Sequence, residues 1–264
     1  MIKKQYLIEL STETPYIKKG QKSFDVKKVQ EWINLWKRYD PDNWKVSVAM
    51  DGDFGRGTEE AIKEFQTTYG LGTDGIVGNI SWRKLIEPMT NAFSRIQDNS
   101  LNMKELIVAY AKQHIASSPR EFNQNEGTWV RSYMDGHEGK EWAWCMGFSQ
   151  TIADQATATL GDEFTNYMPA TFSCDVIGNH GLQNGKLIEN AALNESVIEP
   201  GDFFLIVKVP KSDWTHVGIV TGVNGDWIET IEGNTNDEGS REGYEVCARK
   251  RNFKTKNIDL FKLI

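Results

Sequence analysis

The chain is poor in the residues that mark metal-binding and disulfide-rich proteins. Its 264 residues include only three cysteines and four histidines. No two of them stand at the Cys-x-x-Cys or His-x-x-x-His spacing of a zinc site, so we expect neither a metal ion nor another cofactor. An odd number of cysteines does not fit a disulfide framework, and it agrees with synthesis in a reducing compartment.

Long apolar runs and basic patches are also absent from the sequence. No segment is long and apolar enough to cross a membrane, and the start MIKKQYLIEL lacks the apolar stretch of a signal peptide, so we expect synthesis in the cytoplasm. The net charge is −7, and the acidic excess falls within residues 101–264. Nucleic acid and membranes are therefore not expected partners. We expect a monomer.

The second half of the chain contains the side chains of a thiol hydrolase in a workable order. Cys145 stands in WAWCMGFSQTI, His216 opens HVGIV, and Glu232 and Asn234 follow in IEGNT. A thiolate can attack an amide carbonyl, an imidazole can carry the proton, and a polar side chain can fix the imidazole tautomer. We expect the sulfur at a helix N-terminus, where the dipole lowers a thiol pKa. The helix is predicted from an apolar stripe at helical spacing, Phe148, Ile152 and Ala156.

His216 and Glu232 can meet only if the hairpin between them has the right register. The chain is predicted to turn near Asn224-Gly225-Asp226. A two-residue Asn-Gly turn would set His216 opposite Gly233 and turn Glu232 to the other face. A three-residue loop, or an equivalent bulge, would set His216 opposite Asn234 and on the same face as Glu232. A catalytic site therefore requires the longer loop or the bulge.

Each of these residues has a structural alternative. A cysteine at the start of an apolar helix is often a small buried hydrophobic residue, and a histidine at a strand start is often structural. Either Glu232 or Asn234 could orient the imidazole. Cys174 and Cys247 are interpreted as packing residues. Surface or capping roles are expected for the other histidines, His114, His137 and His180.

The first half of the chain carries two copies of the motif D-G-x-x-G-x-x-[S/T]. They are DGDFGRGT at Asp51 to Thr58 and DGIVGNIS at Asp74 to Ser81, and each predicts a glycine turn that leads into a helix. Apolar spacing predicts three helices, over Phe24 to Trp36, Ala61 to Tyr69 and Trp82 to Ile86. Turn and loop residues are the expected ligand contacts of this unit: Trp44, Asp51, Asp53, Phe54 and Arg56.

These segments resemble two known families. Val26 to Ile86 is similar to the type 1 peptidoglycan-binding domain through VKKVQEWINLW, DGDFGRGTEEAIKEFQTTYGL and DGIVGNISWRKLI. Glu121 to Ile264 resembles a CHAP domain, the cysteine- and histidine-dependent amidohydrolase/peptidase family, through EFNQNEGTWVRSYM, Trp144-Cys145, PGDFFLI, HVGIV and IEGNTNDEGSREGYEV. The resemblance implies a small all-α three-helix domain followed by an α+β papain-like domain with an antiparallel sheet. The corresponding ranges are 1–20 for an N-terminal extension, 21–90 for the binding domain, 91–103 for a polar linker and 104–264 for the CHAP domain.

The two resemblances together imply a hydrolase of bacterial peptidoglycan. Cys145 would be the nucleophile of an N-acetylmuramoyl-L-alanine amidase or of an endopeptidase that cuts the stem or cross-bridge. Without a signal peptide, such an enzyme would reach the wall by holin-dependent release, as a phage endolysin does, or through a bacterial secretion system, as an effector does. Two other classes stay open: a wall-binding protein with an inactive hydrolase domain, and a thiol amidase for glutathione-type or polyamine conjugates.

Overall fold

The chain divides into two compact units in a computed structural model that describes residues 1–208, 213–235 and 243–264. The first unit is Tyr6–Asn91. The second combines Met1–Gln5 with Ala92–Ile264. Residues 1–5 of the predicted extension (1–20) and residues 92–103 of the predicted linker (91–103) are counted with the second unit.

The first unit is helical. Helix α2 begins after Ser23, whose hydroxyl accepts a hydrogen bond from the backbone N–H of Val26 at 3.2 Å and so caps the helix. The three predicted helices are confirmed as α2, α3 and α4, and two short helices flank them. The helices are α1 (Gln5–Leu10), α2 (Phe24–Tyr39), α3 (Arg56–Thr68), α4 (Asn79–Leu85) and α5 (Glu87–Ala92).

The core of the first unit is built from aromatic side chains. The ring of Phe65 on α3 lies 5.5 Å from that of Trp36 on α2 and 5.6 Å from that of Trp44 in the following loop. Trp44 donates its indole N–H to the carbonyl of Ile33 at 2.8 Å, so its one polar atom is satisfied inside the core. These contacts hold α2, α3 and the loop after α2 together.

The second unit is an α+β structure. Its helices are α6 (Met103–Ala116), α7 (Thr128–Tyr133), α8 (Cys145–Thr159) and α9 (Cys174–Gln183). Helix α8 packs against α6 and against strands β3 and β4 defined below. Every residue from 145 to 157 is buried, which explains why small and apolar residues occur all around this helix.

Among the described residues, the sheet of the second unit has six strands, and the pairs between them are antiparallel. The strand order is β1-β6-β2-β3-β4-β5, so the long hairpin β3–β4 lies between β2 and β5. This confirms the predicted antiparallel sheet. The strands are β1 (Leu187–Ile188), β2 (Phe203–Lys208), β3 (Asp213–Asn224), β4 (Trp227–Thr235), β5 (Glu245–Asn252) and β6 (Ile258–Phe261).

The hairpin contains the bulge that the sequence analysis requires. Its turn is Gly225-Asp226, with Asn224 paired to Trp227, and Gly225 has a φ of 56°. The register then shifts between Val220 and Gly222, after which Val220 pairs with Thr230. The bulge adds one residue to β3 and turns His216 and Glu232 to the same face.

His114 lies in the interior, which corrects its expected surface or capping role. The imidazole on α6 is fully buried and hydrogen-bonded to Tyr133 Oη at 2.9 Å and to Gln155 Oε1 at 2.7 Å. Burial lowers the pKa of His114 to about 4, and hence the ring is neutral at pH 7. The helix α6 presents a polar group to the core, and both ring nitrogens find partners there.

Within the described ranges, no helix combines the length and the apolar content that a membrane crossing needs.

Candidate active site

Cys145 is the first residue of α8, as predicted. Its side chain is buried to 4% exposure, and its Sγ lies 4.0 Å from the Sγ of Cys174, the first residue of α9. The backbone N–H groups of a first helical turn have no partners within the helix, and they carry a partial positive charge. The sulfur of Cys145 is therefore placed where a negative charge is stabilised.

His216 and Glu232 form the hydrogen-bonded pair that the register allows. Nε2 of His216 on β3 lies 2.8 Å from Oε2 of Glu232 on β4, and both side chains are buried. In the described parts of the chain, Nδ1 of His216 has no hydrogen-bond partner. Glu232 thus holds one ring nitrogen and leaves the other for a reacting proton.

Two residues that the sequence analysis missed hold the carboxylate of Glu232. Arg251 on β5 donates from Nε to Oε1 at 2.6 Å and from Nη2 to Oε2 at 2.5 Å, a bidentate pair. The hydroxyl of Thr230 donates to Oε1 at 2.6 Å. Together with His216, these donors satisfy both carboxylate oxygens and fix the position of the group.

The arrangement favours the charged form of each of the three titratable groups, Cys145, His216 and Glu232. Burial opposes ionisation of Glu232, but the hydrogen bonds from Arg251 and His216 outweigh it and lower its pKa to about 2. Burial also opposes protonation of His216, yet interactions with Cys145 and Glu232 raise its pKa to about 9. The hydrogen bond with Cys174, aided by His216, lowers the pKa of Cys145 well below its ordinary value. The surroundings of the two groups therefore favour the thiolate of Cys145 and the imidazolium of His216.

Two glycines of the β3–β4 hairpin leave room for the side chain of Glu232 and for helix α8. A Cβ at Gly218 would lie 2.6 Å from Cγ of Glu232, and a Cβ at Gly233 would lie 2.6 Å from Cβ of Phe148 on α8. Real Cβ atoms do not come so close to other carbons. The glycines of HVGIV and IEGNT thus let Glu232 lie against β3 and α8 lie against β4.

Asn234 and the two other cysteines also lie near this site. Asn234 is buried with a φ of 54°, and its Oδ1 has no hydrogen-bond partner within the described residues, so the imidazole is held by Glu232 instead. Cys174 was expected to be a packing residue, but its thiol is the neighbour of Cys145. Cys247 is half-buried on β5, and its β4 partner is Glu232. No metal cluster of three or more His, Cys, Asp or Glu side chains occurs in the described part of the chain.

The repeated motif of the first unit builds two equivalent turns. Nε2 of Gln30 on α2 donates to Asp51 Oδ1, to the carbonyl of Asp53 and to Thr58 Oγ1 at 2.9–3.2 Å. Nε2 of Gln66 on α3 makes the matching bonds in the second copy, to Asp74 Oδ1, the carbonyl of Ile76 and Ser81 Oγ, at 2.9–3.0 Å. The motif residues thus close around a buried glutamine, which the sequence analysis missed.

The predicted ligand contacts of the first unit fall into two groups. Trp44 and Phe54 are fully buried core residues, so neither ring is available to a ligand, and their prediction is corrected. Asp51 and Asp53 line a cavity of about 500 Å³, which is also lined by residues 46–49, Glu60 and Glu64. Oδ1 of Asp51 is occupied within its own turn by Gln30 and the Asp53 N–H. Arg56 is exposed and paired with Glu60 at 2.7 Å.

The first unit is similar to a known family of domains. Residues 23–85 match the family model described as "Putative peptidoglycan binding domain". The helical first unit matches a peptidoglycan-binding domain. Over 42 residues, 16% of the chain, the sequence is 40% identical to "Zinc D-Ala-D-Ala carboxypeptidase" of Streptomyces albus G. Over 76 residues, 28% of the chain, it is 38% identical to "Uncharacterized protein in bpoA1 3'region" of Kitasatospora aureofaciens.

These likenesses cover only part of each relative. The chain spans 16% of the length of the carboxypeptidase and 58% of the length of the second relative. No solved structure matches the chain.

Proposed function

We propose that the chain is a peptidoglycan hydrolase that cuts an amide bond of the bacterial wall through Cys145. The observation that carries the proposal is the arrangement of Cys145, His216 and Glu232, with the thiol at a helix start and the imidazole held by a buried carboxylate. The peptidoglycan-binding match over residues 23–85 supports the choice of substrate, and the likeness over 42 residues to a zinc D-Ala-D-Ala carboxypeptidase agrees with it. The second unit is then of the papain-like CHAP type.

The proposed reaction begins with the ion pair of Cys145 and His216. The thiolate attacks the amide carbonyl, forming a carbon–sulfur bond, and the oxyanion is stabilised by the backbone N–H of Cys145 at the start of α8. The His216 imidazolium protonates the leaving amine as the carbon–nitrogen bond breaks. His216 then accepts a proton from the water that hydrolyses the thioester, and the thiolate leaves. Glu232 keeps the ring oriented through both steps.

The biological setting is also a proposal. A phage endolysin released by a holin fits an enzyme made in the cytoplasm, and an effector carried by a secretion system is the second possibility. In either case the first unit would raise the local concentration of wall substrate around the second unit without entering the chemical step. We propose that the protein acts as a monomer on peptidoglycan.

The nucleophile is tested with the full-length Cys145→Ala variant. We expect the variant to fold and to lose clearing of a suspension of purified sacculi, because the change removes the sulfur but little volume. Sedimentation with sacculi should be unchanged and serves as the control for folding of the first unit. Clearing by the variant within ~10-fold of the wild-type rate would contradict the nucleophile assignment.

Wall binding is tested in the same inactive background. Asp53→Ala with Arg56→Ala should weaken sedimentation with sacculi if the exposed turn contacts the wall. Arg83→Ala is the matched control, since Arg83 is an exposed basic residue on α4 outside the turn. Equal sedimentation of all variants would show that the turn is not part of the binding surface.

The bond that is cut is identified by mass spectrometry of digested muropeptides. A new N-terminal alanine on the stem peptide would indicate the muramoyl amide, and new termini within the stem or cross-bridge would indicate an endopeptidase. A protein that sediments with sacculi but releases no product would be a wall-binding protein with an inactive second unit.

A further inference from the structure

The neighbour of the proposed nucleophile is a second thiol. Sγ of Cys174 lies 4.0 Å from Sγ of Cys145, and both side chains are buried, at 7% and 4% exposure. The hydrolysis described above uses only the sulfur of Cys145. A hydroxyl could supply the same hydrogen bond to the sulfur of Cys145, so the presence of a thiol at position 174 calls for a separate explanation.

The geometry suits a bond between the two sulfurs. A disulfide has a sulfur–sulfur length of ~2 Å, so the two atoms must approach each other by about 2 Å. Rotation about a Cα–Cβ bond moves a cysteine sulfur over such a distance without moving the backbone. Cys145 is the first residue of α8, which favours its thiolate form, and Cys174 is the first residue of α9.

We propose that Cys145 and Cys174 form a reversible disulfide when a peroxide oxidises the site, and that this bond switches the hydrolase off while it protects Cys145 from irreversible oxidation. The Cys145 thiolate attacks the peroxide, so that a sulfur–oxygen bond forms, the oxygen–oxygen bond breaks and hydroxide leaves. The thiol of Cys174 then attacks the sulfenic sulfur. The sulfur–sulfur bond forms, the sulfur–oxygen bond breaks, and the leaving hydroxide takes the thiol proton as water.

The electrons and protons of the oxidation balance. The two thiols lose two electrons and two protons, and the peroxide is reduced by two electrons. A dithiol reductant reverses the change by thiol–disulfide exchange. The inference uses the proposed function only for its activity readout, because the bond itself is detected by mass.

The test treats the full-length protein with excess hydrogen peroxide and then blocks remaining thiols with N-ethylmaleimide. Both cysteines lie in one tryptic segment, residues 141–186, and Glu163 is the only glutamate between them. Digestion with trypsin and a glutamate-specific protease should therefore give two peptides joined by the disulfide. We expect clearing of sacculi to fall by more than ~100-fold and to return to within about twofold of the untreated rate after dithiothreitol.

Two variants keep the test decisive. Cys174→Ser is compared with its own untreated rate, because Cys174 also lowers the pKa of Cys145. Peroxide should convert the Cys145 of this variant to sulfinic or sulfonic acid, and dithiothreitol should not restore that untreated rate. Cys247→Ser is the control cysteine substitution, and it should form the Cys145–Cys174 disulfide as the wild type does.

Two results would overturn the proposal. One is a wild type in which Cys174 is blocked by N-ethylmaleimide while Cys145 alone carries oxygen. The other is a Cys174→Ser variant that recovers from peroxide as fully as the wild type. A disulfide found in a protein with no hydrolytic activity would instead reject the proposed function and leave the thiol site standing.

Discussion

Replacing Glu232 with glutamine tests whether the buried carboxylate is needed as a charge. Its two oxygens accept four hydrogen bonds, from Thr230 and Arg251 Nε on Oε1 and from His216 and Arg251 Nη2 on Oε2. A glutamine has one oxygen, so in either amide orientation its NH2 group faces two of these donors. The guanidinium of Arg251 also loses its counter-charge. We therefore expect Glu232→Gln to be far from conservative.

The expected loss of folding stability follows from the pKa of Glu232. A fall from 4.5 to about 2 corresponds to about 3 kcal/mol of stability at ~1.4 kcal/mol per pKa unit. Removing one partner of a buried ion pair costs a similar amount, ~3–5 kcal/mol. Because the folded-state pKa is depressed, this stabilisation is present above pH 4.5 and is lost as the pH falls through 2. The variant should be about 3 kcal/mol less stable at pH 7, and its stability should lack this pH dependence.

Urea unfolding at pH 7 and at lower pH measures both quantities. The double variant Glu232→Gln/Arg251→Met removes the unpaired cation and should recover part of the lost stability. It should not recover the reactivity of Cys145 with iodoacetamide, because the pKa of His216 is raised partly by Glu232. A single variant within ~0.5 kcal/mol of the wild type at pH 7 would refute the reasoning.

Three further predictions concern the rest of the molecule. Gln66→Leu should lower the stability of the first unit by ~2–3 kcal/mol in thermal unfolding, since it leaves the second turn without its buried donor. Because burial lowers the pKa of His114 from 6.5 to about 4, up to about 3 kcal/mol of stability should be lost as the pH falls from 6.5 to 4, and His114→Gln should flatten that slope. Deletion of residues 1–5 should destabilise the second unit in urea unfolding, because the buried Asp154 on α8 accepts from the N–H groups of Ile2 and Lys3 at 2.8 and 3.0 Å.

The sequence predicted the parts of the site that depend on local pattern. The start of α8 follows from an apolar stripe behind Cys145, and the facing of His216 and Glu232 follows from strand alternation and one bulge. The contact between Arg251 and Glu232 could not be predicted, because the sequence between β4 and β5 does not indicate in which register the two strands pair. The position of Cys174 beside Cys145 could not be predicted either, because it depends on how the starts of α8 and α9 pack together in the tertiary structure.

The aromatic residues of the first unit show a second limit of prediction from sequence. Trp44 and Phe54 stand in a loop and a turn, where side chains are often exposed and bind ligands. Here both rings are fully buried, together with the other aromatic and aliphatic side chains that form the core of a unit of fewer than ninety residues. The exposure of these two rings therefore could not be predicted from their position in a loop and a turn, because both rings are needed in a small core.

The two glutamine-centred turns change what the repeated motif means. Asp51 and Asp74 accept from Gln30 and Gln66 and from the backbone N–H two residues on, and Thr58 and Ser81 accept from the same glutamines. Because both copies use their conspicuous residues internally, the motif D-G-x-x-G-x-x-[S/T] serves as a folding signature, and we expect recognition of a ligand to come from residues outside its fixed positions. In the cavity beside the first turn these include residues 46–49, Asp53, Glu60 and Glu64, and the cavity beside the second copy has no lining segment that corresponds to residues 46–49. We therefore expect changes at Glu60 and Glu64 to alter wall binding without unfolding the turn, whereas changes at Asp51 should weaken binding only by unfolding it.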